Sequence, residues 1–201
     1  MTRLLVTGFG PFPGVRVNPS ARVARTVAAS RRLPATGVDA RMALIETTYA
    51  TAERLIPALV AEHRPDAVLM FGVASRRKAV CVEKRAKNRV SILHPDASGV
   101  RPTGLVPFPG RPFSAMGRAP FAQITIAIRR AGMPSRVSIS AGSYLCNDSY
   151  WRMLAATAPD TPCLFLHIPR LRSRAIAARM IEGGVQAALM LVRVARTSPT
   201  V

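Results

Sequence analysis

A chain of 201 residues that is 49% hydrophobic is long enough for one ordinary domain with its own apolar core, and it needs no disulfide staples to fold. Its 29 lysines and arginines against 10 acidic residues give a formal charge of +19. Only three of the basic residues are lysines, and the arginines are spread along the chain instead of forming one tail, which argues against a nucleic-acid-binding arm. Arg, Pro or Gly interrupts each apolar run before the roughly 18 residues a membrane span needs, and the first apolar stretch is too short for a signal peptide. Three cysteines without CxxC or Cys/His ligand spacing speak against a disulfide framework and a structural zinc site. The expectation is a single domain over 1–201 in the reducing cytoplasm, with no membrane contact, no metal and no other cofactor.

In chain order, Leu4–Thr7 reads as a first buried strand, and Asn18-Pro19-Ser20 offers a capping residue and a turn-former ahead of a helix over Ala21–Ser30. A strand over Asp39–Leu44, a helix over Tyr49–Glu62 and a strand over Ala67–Phe71 follow. Several Pro and Gly residues then break the rhythm, so the stretch 80–111 reads as a hairpin excursion, with Pro102–Pro112 its most mobile part. A helix over Phe121–Ala131, a strand over Val137–Ser140, a helix over Leu145–Ala156, a strand over Cys163–His167 and a helix over Arg174–Arg196 complete the pattern; Thr197–Val201 reads as a frayed end. Strands alternating with longer helical patterns predict an α/β domain, an αβα sandwich around a twisted, mostly parallel central sheet.

Three segments could carry chemistry. Ser140-Ala141-Gly142-Ser143-Tyr144-Leu145-Cys146-Asn147 runs from a predicted strand into a predicted helix, which places Cys146 in a first helical turn, where unpaired backbone N–H groups favour a thiolate and could steady an oxyanion. A small buried cysteine plugging the helix–sheet junction is the plainer alternative. His167 ends the apolar strand Cys163–His167 just before Pro169, and the carboxyl ends of strands line the crevice of open α/β sheets, so it is the best-placed base. A carboxylate would orient its imidazole; Glu83, in the apolar strand Val80-Cys81-Val82-Glu83, is one candidate, and spacing alone does not select it over Asp148 or Asp96. Thr7-Gly8-Phe9-Gly10-Pro11-Phe12 sets two aromatics on a loop after the first strand, able to enclose a small flat ring or simply to cover the sheet end. It matches neither GxGxxG nor GxxxxGK[ST], so nucleotide binding lacks support.

Together these segments resemble the pyroglutamyl peptidase type I family of cysteine peptidases, in order and over nearly the whole chain. Thr7–Phe12 with Asn18-Pro19-Ser20 is similar to the family's TGFxPFxG…NPS opening, and Gly72–Arg77 with Val80…Glu83-Lys84 and Asn88 to its GxAxGR…IxxERxxxN stretch. Ser140–Asn147 resembles SAGTYxCN, and Phe165-Leu166-His167-Ile168-Pro169 resembles FxHxP; these last two are the specific ones. The resemblance implies Cys146 as nucleophile, His167 as general base and later acid, and Glu83 as orienting carboxylate. It also implies Phe9 and Phe12 flanking a pyroglutamyl (5-oxoproline) ring, Tyr144 and Leu145 lining the same pocket, and backbone groups near Val73 bonding the ring amide. Substrates would be peptides with an N-terminal pyroglutamate, and the assembly a homo-oligomer, dimer or tetramer. The chain departs from the pattern at Ser75-Arg76-Arg77, at Lys84, and at Leu93, where an active-site arginine is expected; Asp148 stands where a histidine is common.

Overall fold

The computed structural model describes residues 1–12 and 14–197; the frayed end expected over Thr197–Val201 lies outside them except for Thr197. Chain order is β1 (Thr2–Phe9), α1 (Pro19–Ala28), α2 (Arg32–Ala35), β2 (Val38–Ile45), α3 (Tyr49–His63), β3 (Ala67–Val73), β4 (Val80–Glu83), β5 (Arg85–Lys87), β6 (Ser114–Met116), α4 (Phe121–Arg130), β7 (Ser135–Ser138), α5 (Leu145–Ala156), β8 (Cys163–Ile168) and α6 (Arg174–Thr197). Six strands form one sheet in the order β2-β1-β3-β8-β4-β7. Every pairing in it is parallel except β4 with β8. The central strands β3 and β8 are buried along their whole length, as a parallel sheet covered on both faces requires.

The two faces hold separate cores. Leu4, Val6, Leu69, Phe71, Leu164 and Leu166 pack under α1, α4 and α6, whereas Leu5, Phe9, Val68, Met70 and Phe165 pack under α3 and α5. The α/β sandwich expected from the alternation of elements is therefore the observed architecture. α6 is long and apolar enough, by length and composition, to cross a membrane, which counting uninterrupted apolar residues overlooked; half of its apolar window is buried inside the fold. Gly184 lets it close on α1 and the sheet: a Cβ there would meet Val27 Cγ2 at 2.7 Å and Phe71 Cζ at 3.1 Å.

The main departures from the expected elements lie between β3 and β7, with one short helix besides. Val80–Glu83 is no part of an excursion; it is a fully buried strand of the main sheet, held between β8 and β7. The hairpin ribbon proper is β5 with β6, antiparallel, and residues 88–113 form the long loop between them. Strand β7 begins at Ser135, two residues earlier than expected, because it pairs with β4 from Val80↔Ser135 onward. The four-residue α2 was not expected from the sequence; its Leu33 is fully buried against the α6 side, a tertiary contact with no periodic signature in so short a segment.

Candidate active site

The site forms at the carboxyl ends of β1, β3 and β8, where the register brings distant residues onto one face. Gly72 pairs with His167 across the parallel β3–β8 ladder, and Cys81 pairs with His167 across the antiparallel β8–β4 ladder. Directly paired residues point to the same face, as do residues two apart on one strand. Glu83, diagonal to His167, therefore shares its face and is within side-chain reach. The Glu83 carboxylate, fully buried, accepts from His167 Nδ1 at 2.8 Å and from Arg77 Nη1 at 2.5 Å on the same oxygen, Oε1. Because a carboxylate only accepts, Nδ1 carries the proton in this bond, and in the neutral ring the lone pair falls to Nε2. Arg77 also donates through Nη2 to the Ser140 carbonyl at 3.3 Å, tying the carboxylate to the segment ahead of α5.

Cys146 lies in the first turn of α5, with Tyr144 as N-cap in extended backbone. The first-turn N–H groups of Leu145 and Cys146 have no carbonyl one turn earlier to bond. The sulfur rests over Gly72: a Cβ at that glycine would stand 2.9 Å from Cys146 Sγ and 2.6 Å from Phe165 Cζ. Since Gly72 and His167 are paired neighbours on one face, the missing side chain seats the thiol beside the imidazole. Burial, and after it the Glu83 charge, push the Cys146 thiol up to about 12, against the opposing pull of the Arg77 cation and of its own backbone N–H. At neutral pH the Cys146 side chain is thus a neutral thiol. No hydrogen bond joins Sγ to the His167 ring among the described residues.

Phe9, Phe12, Val73, Tyr144, Cys146 and His167 line one cavity of about 150 Å³, together with Asn18, Thr47 and the Ala141-Gly142-Ser143 turn. Drug-sized ligands occupy roughly 300–1,000 Å³, so this cavity suits a single small ring. Its walls are firmly held. The Gly10 carbonyl accepts from Asn18 Nδ2 at 2.9 Å and Thr47 Oγ1 at 3.0 Å, and Asn18 Oδ1 accepts from the Ser20 N–H, capping α1. The 88–113 loop is fastened to the Ser140–Asn147 segment: Tyr144 Oη donates to the Pro95 carbonyl at 2.8 Å, and the Ser91 N–H donates to the Ser143 carbonyl at 2.6 Å. Gly142, at φ +89°, takes a turn conformation that a side chain would strain.

Leu145 does not join this pocket. It is fully buried in the core under α3 and α5, because adjacent helical residues point about 100° apart, and turning Cys146 to the cavity turns Leu145 inward. Of the alternative acids, Asp148 is bonded to Arg152 Nε at 2.8 Å, and burial raises its carboxyl above the ordinary range. Burial also pulls the Asp96 carboxyl upward, but hydrogen bonds from Ser98, Tyr49 and Val100 outweigh it and hold it below the ordinary range. Among the described residues only Glu83 bonds the His167 ring. Leu93 is 72% exposed and lies outside the cavity. Arg77, Gly72 and Thr47 had no assigned role in the sequence reading, and Asn18 only that of a helix cap. The sheet order alone reveals the first two, and a buried asparagine ahead of a helix was the available signal for Asn18. Among the described residues no group of three His, Cys, Asp or Glu side chains could hold a metal.

Comparison with known proteins bears on the family and the fold. The sequence profile of the pyroglutamyl peptidase family matches residues 2–196. The chain is 32% identical over 179 residues to a pyrrolidone-carboxylate peptidase of Thermococcus onnurineus, covering 87% of this chain and 86% of that one. Among solved structures, the pyrrolidone carboxyl peptidase of Thermus thermophilus superposes with a TM-score of 0.77 at 31% identity, over 92% of this chain and 99% of the other. The Bacillus amyloliquefaciens pyroglutamyl peptidase I gives a TM-score of 0.81 at 25% identity, over 95% and 98%. With nearly its whole length matched in sequence and in fold, the chain belongs to the pyroglutamyl peptidase family.

Proposed function

We propose that the chain is a cysteine exopeptidase that hydrolyses the amide bond following an N-terminal pyroglutamate, with Cys146 as nucleophile, His167 as general base and acid, and Glu83 as the carboxylate that orients the ring. The observation that carries these roles is the 2.8 Å bond between His167 Nδ1 and buried Glu83 at a cavity that Cys146 also lines. Pyroglutamate has no charged amine, so recognition rests on enclosure of a flat lactam by apolar walls and a few aimed polar groups. Phe9, Phe12 and Tyr144 supply the walls, and the backbone near Val73 supplies polar groups for the lactam. Leu145 contributes through its place in the first turn of α5, its side chain being in the core.

In the first step the sulfur attacks the pyroglutamyl carbonyl carbon while its proton passes to Nε2 of His167. The oxyanion that forms lies within reach of first-turn N–H groups of α5. The tetrahedral species then collapses, the C–N bond breaks, and the departing amine takes the proton from Nε2. Water, deprotonated by the same nitrogen, attacks the thioester and releases pyroglutamate, which returns the thiol. The imidazolium that appears twice in this cycle faces the Glu83 carboxylate, and Arg77 prevents that carboxylate from being a lone buried charge. The protein acts in a reducing compartment, the cytoplasm, as a dimer or tetramer. Release of a coumarin fluorophore from a pyroglutamyl amide tests the reading: wild-type protein hydrolyses it and Cys146→Ala does not. Turnover by Cys146→Ala at the wild-type rate would refute the assignment.

A further inference from the structure

Beside the catalytic cavity lies a second, larger one of about 570 Å³, and Val73 at the end of β3 lines both. Its walls carry Arg16 from the β1–α1 loop, Arg22 from α1, Arg170 and Arg172 from the turn between β8 and α6, and Arg174 at the start of α6. No acidic side chain lines it, and none of the five arginines forms an ion pair among the described residues. A basic composition alone does not account for this. The other sizeable surface cavities are lined by acids as well as arginines, Glu182 beside Arg130 in one, Asp66 and Asp160 beside Arg3 and Arg64 in another. All five arginines of the larger cavity are exposed at its rim, and the first turn of α6 adds the positive end of a 24-residue helix.

The position of the cavity fixes what it can meet. With a pyroglutamyl ring seated against Phe9, Phe12 and Tyr144, the rest of the peptide must leave the small cavity by an open side, and Val73 marks the wall shared with the larger one. An extended peptide advances about 3.3 Å per residue, so the first two or three residues after the pyroglutamate span the arginine-lined space. Uncompensated guanidinium groups at that distance favour carboxylates, by paired hydrogen bonds and by local potential.

We propose that this cavity is the leaving-peptide subsite, and that it selects substrates carrying aspartate or glutamate side chains in the first residues after the pyroglutamate. The inference rests on the peptidase reading above and adds a substrate class to it. A test uses three C-terminally amidated peptides, so that the chain end brings no carboxylate of its own: pyroglutamyl-Asp-Glu-Ala, pyroglutamyl-Ala-Ala-Ala and pyroglutamyl-Lys-Lys-Ala. kcat/KM is measured for wild type and for the double variant Arg170→Gln/Arg172→Gln, at low and at high salt. The expected result is a preference of about tenfold or more for the acidic over the neutral peptide at low ionic strength, shrinking with salt. The double variant should lose that preference while hydrolysing the neutral peptide as before. Equal kcat/KM for all three peptides overturns the subsite and leaves the peptidase intact. Hydrolysis of none of them overturns the peptidase reading, and the subsite with it. If a single-stranded oligonucleotide binds the wild type but not the double variant, while peptide preference is the same in both, the cavity is a nucleic-acid site and the inference is overturned.

Discussion

Replacing Gly72 by alanine tests how the thiol is seated. The added methyl carbon would stand 2.9 Å from Cys146 Sγ and 2.6 Å from Phe165 Cζ, with Phe165 Cε1 also at 2.9 Å. Comfortable carbon contacts lie near 3.5–4.0 Å, so sulfur and ring must each yield by about 1 Å. Phe165 has little room, because it is fully buried and touches Phe9, Tyr150 and His167 at ring-centroid distances of 6.2, 5.5 and 4.8 Å. Overpacking of this kind costs about 1–3 kcal/mol of stability, and displacing a reacting atom by about 1 Å costs on the order of 100-fold in rate. Gly10→Ala on the neighbouring loop is the control, since its Cβ would meet nothing closer than 3.8 Å and its stability should change by no more than about 0.5 kcal/mol. The assay combines thermal melting with kcat and KM on a pyroglutamyl fluorogenic amide, measured well below the melting temperature. The expected outcome is a lower melting temperature and a fall confined mainly to kcat for Gly72→Ala, with Gly10→Ala close to wild type. Full kcat in a folded Gly72→Ala protein would refute the claim that the bare glycine seats the nucleophile.

Three further outcomes follow from the same geometry. Glu83→Gln keeps the shape but offers His167 Nδ1 an amide that can present the wrong group; kcat should fall by about 1,000-fold or more with KM little changed, read by steady-state kinetics. Arg77→Met removes one of two donors from the buried Glu83 Oε1 and should destabilise the fold by about 1–3 kcal/mol in a urea titration, in addition to slowing turnover. With the Cys146 thiol raised to about 12, it is protonated throughout the neutral range, so its alkylation by iodoacetamide should climb about tenfold per pH unit from pH 7 to 10. A thiol of ordinary acidity would level off near pH 9, and a plateau below pH 7, followed by mass spectrometry of the Cys146 peptide, would contradict a neutral resting thiol.

Local patterns made most of the elements legible. α5 runs over Leu145–Ala156 as its periodicity suggested, and the apolar runs behind β1, β3 and β8 mark the buried centre of the sheet. The capping role of Asn18 was readable from Asn-Pro-Ser, though the helix begins at Pro19 and not at Ala21. What spacing could not supply was the strand order. β4 follows β3 in sequence, yet it inserts between β8 and β7, strands that come some 50 to 80 residues later. That insertion turns Val80–Glu83 from an apparent excursion into core and brings Glu83 to His167. The role of Arg77 depends on the same insertion and that of Gly72 on the β3–β8 pairing, neither of which spacing shows, so sequence reasoning left three acids open. The family resemblance put Leu145 in the pocket beside Cys146, whereas helical geometry sends consecutive side chains in different directions and its own lies in the core.

A covalent adduct on Cys146 is the most direct sign of the proposed chemistry. An activated pyroglutamyl ester, whose leaving group departs faster than the thioester hydrolyses, should let the acyl-enzyme accumulate long enough for acid quenching and intact-mass measurement. The account predicts a mass increase of one pyroglutamyl group, mapped by peptide sequencing to Cys146 and absent from Cys146→Ala. Continued hydrolysis of the ester with no adduct, or with the group carried on another residue, would contradict it.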